Sequence, residues 1–170
     1  MKNQDQMGGF IGLWIIEKES GIPITYVELE GKSKIDSVLF SGFLVAIRGF
    51  MNDFQIGQLN SFTTDLAKLL ITGSEELLSV LAIEKEVNVD YWYPTLIHLQ
   101  RESEQFYQNL KGKKTNILVD TTVFDQLKPR FRDLIISNID RILENTTLSG
   151  TKKSDDDKKA QYKLKESGLW

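Results

Sequence analysis

The side chains best suited to chemistry in this sequence are few and widely separated. His98 is the only histidine among 170 residues, and the chain contains no cysteine. An imidazole acts as a general base or metal ligand when a second histidine, a thiolate or a positioned carboxylate lies beside it. The spacing around His98 supplies none of these partners. An ordinary helix position is therefore the preferred interpretation, and we assign no catalytic residue.

Carboxylates at the ends of predicted strands offer a second route to chemistry. Glu17 and Glu19 bracket a predicted hairpin, and Glu84 and Glu86 end the fifth predicted strand. Four carboxylates that converged would suit a divalent cation, because such ions prefer oxygen ligands. Carboxylates at strand ends are more often simply solvated. We therefore predict no metal site and no cofactor.

The glycines near the N-terminus do not form a phosphate-binding loop. Gly8, Gly9 and Gly12 lead into a predicted strand, whereas phosphate loops lead from a strand into a helix. The run Asp155 to Asp157 lacks the glycine and the spaced oxygen ligands of a calcium-binding loop. These patterns favour neither a nucleotide site nor a calcium site.

Composition limits the classes of partner. The chain is 41% hydrophobic and 26% charged, which is typical of a globular protein, and its net charge is −3. This acidic balance argues against a general nucleic-acid binder, because phosphate contacts favour clustered Lys and Arg. The apolar run Phe10 to Ile16 is much shorter than the roughly 20 residues of a membrane-spanning helix. We expect a cytoplasmic protein whose contact with membranes is at most peripheral and made through partners.

Five segments carry the patterns of strands. Residues 10–18 are apolar on both alternating faces, which predicts a central strand covered on both sides. A turn at 19–21 and a second strand at 22–27 complete a hairpin, and Pro23 belongs at a strand start or a free edge because it lacks an N–H donor. Three further strands are predicted at 59–64, 66–72 and 77–84.

A helix is predicted between the second and third strands. Ser33 with Asp36 three residues later resembles a capping box. Apolar residues then recur at three- and four-residue spacing, which predicts a stripe lying on the sheet. The stripe comprises Ile35, Leu39, Phe43, Ala46, Ile47, Phe50 and Phe54, and a second set, Phe40, Leu44 and Met51, widens it. Gly42 and Gly49 lie on nearly the same side and are predicted to be points of close helix-to-sheet contact.

Two further helical regions follow the last strand. Asp90 is predicted to cap the first of them, with Pro94 in its first turn and an apolar face that includes Trp92. The second follows residue 120 and restarts at Pro129. Its apolar stripe comprises Phe131, Leu134, Ile135, Ile139, Ile142 and Leu143.

The order β-β-α-β-β-β-α-α predicts an α+β fold, in which a single five-stranded antiparallel sheet is flanked by helices. We expect a flexible N-terminus at 1–9, one domain at 10–145, and a disordered charged tail at 146–170. The tail has too few apolar side chains to offset the entropy of ordering it.

Two phrases resemble the longin and roadblock group of domains. They are GLWIIEKESGIPITYVEL in the predicted hairpin and KIDSVLFSGFLVAIRGF in the first predicted helix. They are especially similar to archaeal members, and the initial strand favours longin over roadblock, whose members usually begin with a helix. A longin SNARE would add a long heptad coiled coil, which this chain lacks after residue 145.

The resemblance implies a noncatalytic protein-interaction module that acts as a scaffold or regulator of small GTPases or of a membrane-trafficking-like complex. It also implies homo- or heterodimers formed through a helix face or a sheet edge. We predict partner contacts on the first helix, on the second strand at 22–29 and at the end of the tail. The predicted contact residues are Phe40, Leu44, Ile47, Met51, Ile24, Tyr26, Leu169 and Trp170. The alternative is a PAS-like or profilin-like ligand-sensing or cytoskeletal binding domain, which a pocket between sheet and helix would distinguish.

Overall fold

A computed structural model describes residues 8–28, 36–53, 59–112 and 121–166 of the chain, with side chains for all of these except Ser37 and 148–166. Ser33, Ile35, Phe54, Leu169 and Trp170, which were singled out in the sequence, lie outside the described residues.

One five-stranded antiparallel sheet forms the centre of the molecule. Its strand order is β2-β1-β5-β4-β3, so the two N-terminal strands lie on one side of β5 and the two middle strands on the other. All four strand pairs are antiparallel, as predicted. The strands are β1 (Phe10–Glu17), β2 (Pro23–Glu28), β3 (Ser61–Thr63), β4 (Ala67–Gly73) and β5 (Leu77–Glu84). Pro23 is the first residue of edge strand β2, the position predicted from its missing N–H donor.

Helices cover both faces of the sheet. The helix α1 (Ser37–Asp53) joins β2 to β3, and because these strands are opposite edges, α1 must cross one face. The helices α2 (Tyr93–Lys111) and α3 (Lys128–Glu166) pack on the other face. Side chains of β1 accordingly alternate between two cores, with Trp14 on the α1 side and Leu13 on the α2 and α3 side. This confirms the prediction that β1 is covered on both faces.

The start of α1 differs from the predicted capping box. Asp36 itself caps the helix, because its Oδ1 accepts hydrogen bonds from the backbone N–H groups of Val38 at 3.0 Å and Leu39 at 3.1 Å. Satisfying two of the first free N–H groups in this way stabilises the helix start. The acidic residue therefore takes the capping role that we had given to Ser33.

The caps of the later helices also differ in part from the prediction. Asn88, rather than Asp90, caps a 3-10 helix at Val89–Tyr91, since its side chain accepts from the N–H of Asp90 at 3.0 Å. Helix α2 follows, with Pro94 in its first turn as predicted. A second 3-10 helix at Thr121–Leu127 leads into α3, and Pro129 lies in the first turn of α3. Four residues of the predicted α3 stripe are buried: Phe131, Ile135, Ile139 and Ile142.

The residues just before β1 are anchored to the rest of the domain. The carbonyl of Gly8 accepts a hydrogen bond from the indole Nε1 of the buried Trp92 at 3.0 Å. The carbonyl of Gly9 accepts from the backbone N–H of Glu84 at 2.7 Å. Both glycines have positive φ angles, a conformation that other residues rarely adopt. The division of the chain at residue 9 stays a prediction, because 1–7 lie outside the described residues.

The backbone of α3 is helical to Glu166, through most of the segment for which we predicted disorder. The domain boundary at 145 and the character of 146–170 stay predictions, since side-chain positions end at Thr147. None of the described helices combines the length and apolarity required to cross a bilayer.

Candidate protein-binding surface

Helix α1 contacts the sheet through a narrow set of side chains. Leu44 is 1% exposed and lies in the core with Trp14 and Ile16. Phe40, one turn earlier, packs on Trp14 with the ring centroids 4.7 Å apart, and Val45 is half-buried against the same core. The second apolar set that we recognised in the sequence, Phe40 with Leu44, is therefore the one that faces the sheet.

The main predicted stripe of α1 points away from the sheet instead. Leu39 is 73% exposed, Phe43 49% and Phe50 57%, and Ala46 between them is also exposed. We call Leu39, Phe43, Ala46 and Phe50 the α1 seam. The prediction that this stripe covers the sheet was wrong. The opposite side of α1, which carries Leu44 and Phe40, is the side that packs on the sheet.

The spacing of the α1 seam is that of a helix-pairing surface. Successive members are four, three and four residues apart, the spacing of the a and d positions in helices that pack side by side. Exposed apolar residues scattered singly are ordinary on protein surfaces, but a contiguous patch more often marks an interaction site. The seam is such a contiguous patch, about three helical turns long.

Gly42 and Gly49 flank the α1 seam, and the Cα of Gly42 lies 3.8 Å from the position that a Cβ on Gly21, in the turn between β1 and β2, would take. A Cβ atom built on either glycine would have no atom within 4 Å outside its own turn of helix. Both residues are exposed. The prediction of close contact with the sheet is therefore wrong for Gly49, whereas the backbone of Gly42 lies near the turn between β1 and β2.

The eight predicted contact residues separate into four groups. Leu44 and Ile24 are buried in the two cores, so neither is available at the surface of a single chain. Phe40, Ile47 and Met51 are half-buried between the sheet and the seam. Tyr26 is exposed on β2, with the Lys128 ammonium 4.8 Å from its ring centroid. Leu169 and Trp170 lie outside the described residues, so their role stays a prediction.

The two edges of the sheet differ in their cover. Along the β2 edge, the 3-10 helix at 121–127 and the start of α3 contact the strand, which protects an edge from pairing with other chains. On the opposite edge, all three residues of β3 are exposed, including Phe62. The strand at 22–29, on which we predicted a partner contact, therefore forms the covered edge of the sheet. The exposed edge is β3.

A group of charges fixes the turn between β4 and β5 beneath α1. The Lys18 ammonium donates to the carbonyl of Ser74 at 2.6 Å. Partial burial, and then the nearby positive charge of Arg48, lower the pKa of Lys18, while Glu75 and Glu104 act in the opposite direction. Burial also lowers the pKa of Arg48. The Lys18 contact thus joins the end of β1 to the turn between β4 and β5, with Arg48 of α1 close enough to affect it.

His98 takes part in an ion-pair network on the surface between α2 and α3. Its Nε2 lies 3.0 Å from Oε1 of Glu102, one turn along α2. Glu102 is also bound by the guanidinium of Arg130, and this hydrogen bond is the main cause that lowers the pKa of the Glu102 carboxyl. Burial opposes the shift. The arrangement joins two helices, and the expectation that no positioned carboxylate lies beside His98 was wrong, because Glu102 supplies one.

The strand-end carboxylates do not converge. Glu17 at the end of β1 pairs with Leu77 at the start of β5, because the two strands are antiparallel. Glu84 ends β5 at the other end of the sheet, beside Gly9. Across the described ranges, from 8 to 166 with their gaps, no three acidic or histidine side chains are grouped to hold a metal ion.

Two grooves lie on the α2 and α3 side of the molecule. One, of about 420 Å³, follows the outer face of α3 around Ile136 and Asp140. The other, of about 290 Å³, runs between α2 and α3 and is lined by His98, Asn138 and Arg141 among others. Neither lies between the sheet and a helix, which is where a ligand-sensing domain of the alternative kind would place its pocket.

Comparison with known proteins gives distant structural likenesses. No family model and no curated protein matches the chain. The gliding protein MglB from Thermus thermophilus has a TM-score of 0.43 and 12% identity, over 50% of this chain and 68% of that chain. An MglB with a tetrameric arrangement has a TM-score of 0.44 and 10% identity, over 58% of this chain and 74% of that chain. Myxococcus xanthus MglB has a TM-score of 0.41 and 13% identity, over 63% of this chain and 88% of that chain.

The five-stranded antiparallel sheet and the order of its strands and helices along the chain agree with the α+β fold that we predicted. The fold is an α+β fold with one five-stranded antiparallel sheet flanked by helices, and its place among longin domains stays a prediction. The archaeal part of the resemblance stays a prediction.

Proposed function

We propose that this chain is a noncatalytic protein-interaction module that docks on a protein partner through the α1 seam. The observation that carries the proposal is the exposure of Leu39, Phe43 and Phe50 on a helix whose opposite side is packed on the sheet. Keeping these side chains in water is unfavourable by roughly 25 cal/mol for each Å² of apolar surface. A partner that covers them gains this free energy.

The proposed class of partner follows from the resemblance to longin and roadblock domains. That resemblance implies a small GTPase, or a complex of the kind found in membrane trafficking, with the chain as a scaffold or regulator. Two features of the structure support a binding role. The seam lies on a helix anchored by Leu44, and among the described residues the edge strand β3 is exposed, so a partner strand could pair with it.

Capture of purified small GTPases tests the proposal with a matched pair of variants. Leu39→Asp places a charge in the seam, whereas Leu66→Asp places the same charge at an exposed leucine in the turn before β4. We expect the native chain and Leu66→Asp to capture a GTPase of the same organism, loaded with GDP or with a nonhydrolysable GTP analogue. Leu39→Asp should lose this capture.

Two outcomes would count against the proposal. Equal capture by both variants would mean that the partner binds elsewhere, and failure of the native chain to bind any small GTPase in either nucleotide state would remove the proposed class. Circular dichroism of both variants confirms that the fold is retained, which is expected because neither leucine is buried.

A further inference from the structure

We propose that Arg48 of α1 and Lys18 at the end of β1 together bind a phosphate monoester group beside the turn between β4 and β5. Arg48 follows Leu44 by four residues, so it shares the side of α1 that packs on the sheet. The proposal therefore does not depend on the α1 seam or on a partner of the seam.

Both cations lie against the same two residues of the turn. The Lys18 ammonium donates to the carbonyl of Ser74 at 2.6 Å. A Cβ atom on Gly73 would lie 3.2 Å from Nη1 of Arg48, so the guanidinium lies directly beside this glycine. Positive groups from two separate elements thus meet at residues 73–74.

Neither cation has a carboxylate within ion-pair distance in the part of the chain that the structure describes. The ion pairs found there join other side chains. An ammonium group has three N–H donors and a guanidinium has five. The bond from Lys18 to Ser74 uses one of the three, so both groups retain donors for a ligand.

Carboxylates on the neighbouring segments are mostly engaged by other groups. Glu104 of α2 accepts hydrogen bonds from the hydroxyl of Ser74 and from a second side chain of α2. Glu76 accepts from the ammonium of Lys111. Glu75 is exposed, and of the two acids in the turn it is the one left to compete with a bound anion.

The electrostatic effects on the two cations favour binding of an anion. Burial and then the positive charge of Arg48 lower the pKa of Lys18, against the opposite effects of Glu75 and Glu104. Burial also lowers the pKa of Arg48. Two positive groups that are partly withdrawn from water repel each other, and an anion between them would offset this repulsion.

The number and type of the cations favour a phosphate monoester. This group carries a charge of about −1.5 to −2 near neutral pH, which matches two cations better than the single charge of a carboxylate. A guanidinium offers parallel N–H donors to two phosphate oxygens, and an ammonium acts as a point charge on a third. Gly73 is exposed, so the group can approach from solvent.

An NMR titration of the full chain with inorganic phosphate tests the proposal, with sodium chloride at equal ionic strength as the reference. We expect phosphate to shift the amide signals of Gly73 and Ser74 and to raise the pKa of Lys18, because a nearby anion favours the charged ammonium. Arg48→Gln should weaken phosphate binding by about tenfold, as expected for the loss of charge-assisted hydrogen bonds. Arg132→Gln, at an exposed position of α3 on the opposite face of the sheet, should bind phosphate as the native chain does.

Glu75→Gln provides a variant with an effect of opposite sign. It removes an exposed negative charge beside the site and should strengthen phosphate binding by about two- to fivefold. A damaged fold would not bind more tightly, so this variant keeps the test decisive if Arg48→Gln fails to fold. Unchanged binding by Glu75→Gln together with unchanged binding by Arg48→Gln would overturn the proposal.

Vesicles distinguish two sources of the phosphate group. Sedimentation with phosphatidylcholine vesicles, with and without phosphatidic acid, measures binding to a lipid that presents a phosphate monoester. Binding that requires phosphatidic acid and is lost in Arg48→Gln would assign the site to a lipid headgroup, and a phosphate response without vesicle binding would assign it to a soluble ligand. Equal signal shifts with phosphate and with chloride would overturn the proposal, whatever the vesicles show.

Discussion

Arg130 of α3 binds both carboxylate oxygens of Glu102 on α2, through Nε at 2.6 Å and through Nη2 at 2.5 Å. A two-point contact of this kind fixes the relative orientation of the groups as well as their distance. His98 completes the network on the same carboxylate. The two helices that cover one face of the sheet are therefore joined at their outer surface by charge as well as by apolar packing in the core.

The Glu102 network should make stability depend on pH. The folded-state pKa of Glu102 lies below its ordinary value of 4.5. Its contribution to the free energy of unfolding is thus fully present above that ordinary value and is lost as the pH falls through the folded-state pKa. We expect Arg130→Gln to be less stable than the native chain at about pH 7, with the difference shrinking toward about pH 3.

Urea unfolding at the two pH values measures this difference. Arg132→Gln provides the matched control, because it removes a positive charge from an exposed position two residues along the same helix. A difference between native chain and Arg130→Gln that is independent of pH would show that the carboxylate is not the group concerned.

The two sides of α1 should respond very differently to the same substitution. Leu44→Ala removes a side chain that is 1% exposed, so we expect a loss of about 2–5 kcal/mol in the free energy of unfolding. Leu39→Ala changes an exposed side chain and should alter stability by about 0.5 kcal/mol or less in dilute solution. Chemical denaturation of both variants measures the contrast, and similar losses would mean that Leu39 is buried.

Glycine-to-alanine substitutions should have opposite signs at two positions. Gly42→Ala meets open space in a helix and should stabilise the monomer by up to about 1 kcal/mol. Gly9 has a φ of +72°, and a Cβ there would lie 2.1 Å from Cγ2 of Val87. Gly9→Ala should therefore destabilise the fold by about 1–3 kcal/mol. Thermal unfolding at low protein concentration tests both signs, and a stabilising Gly9→Ala would contradict the backbone description.

A buried polar pair should show strong coupling between its members. The Ser79 hydroxyl donates to the side-chain oxygen of Gln100, and the buried Gln100 amide nitrogen has no hydrogen-bond partner among the residues that the structure describes. Ser79→Ala leaves the remaining amide oxygen unsatisfied and should cost about 1–3 kcal/mol. Adding Gln100→Leu removes the stranded amide, so the double variant should recover most of that loss. Purely additive losses in a double-mutant cycle would contradict this account.

Sequence patterns alone predicted most of the architecture. The two-sided apolar run of β1 and the alternation in β2 identified the hairpin, and the three- and four-residue spacing in α3 identified its buried stripe. Such patterns repeat along one element, so the sequence contains them without knowledge of any neighbour. The positions of Pro23 and Pro129 followed in the same way from the missing N–H donor of proline.

Three features required the tertiary structure. The sequence showed two apolar sets on α1, but only the packing of Leu44 and Phe40 on Trp14 decided which set faces the sheet. It did not show which edge strand is covered, because this depends on where the chain returns at 121–127. Nor did it show that Glu17 and Glu84 lie at opposite ends of the sheet, which follows from the antiparallel pairing of β1 with β5.

By itself, the sequence determined where the strands and helices lie and that the first helix has more apolar surface than one contact needs. Only the tertiary structure decided that the α1 seam is the part of this apolar surface that stays exposed. The physical reason is that periodicity depends on residues a few positions apart, whereas burial depends on which distant segments pack together.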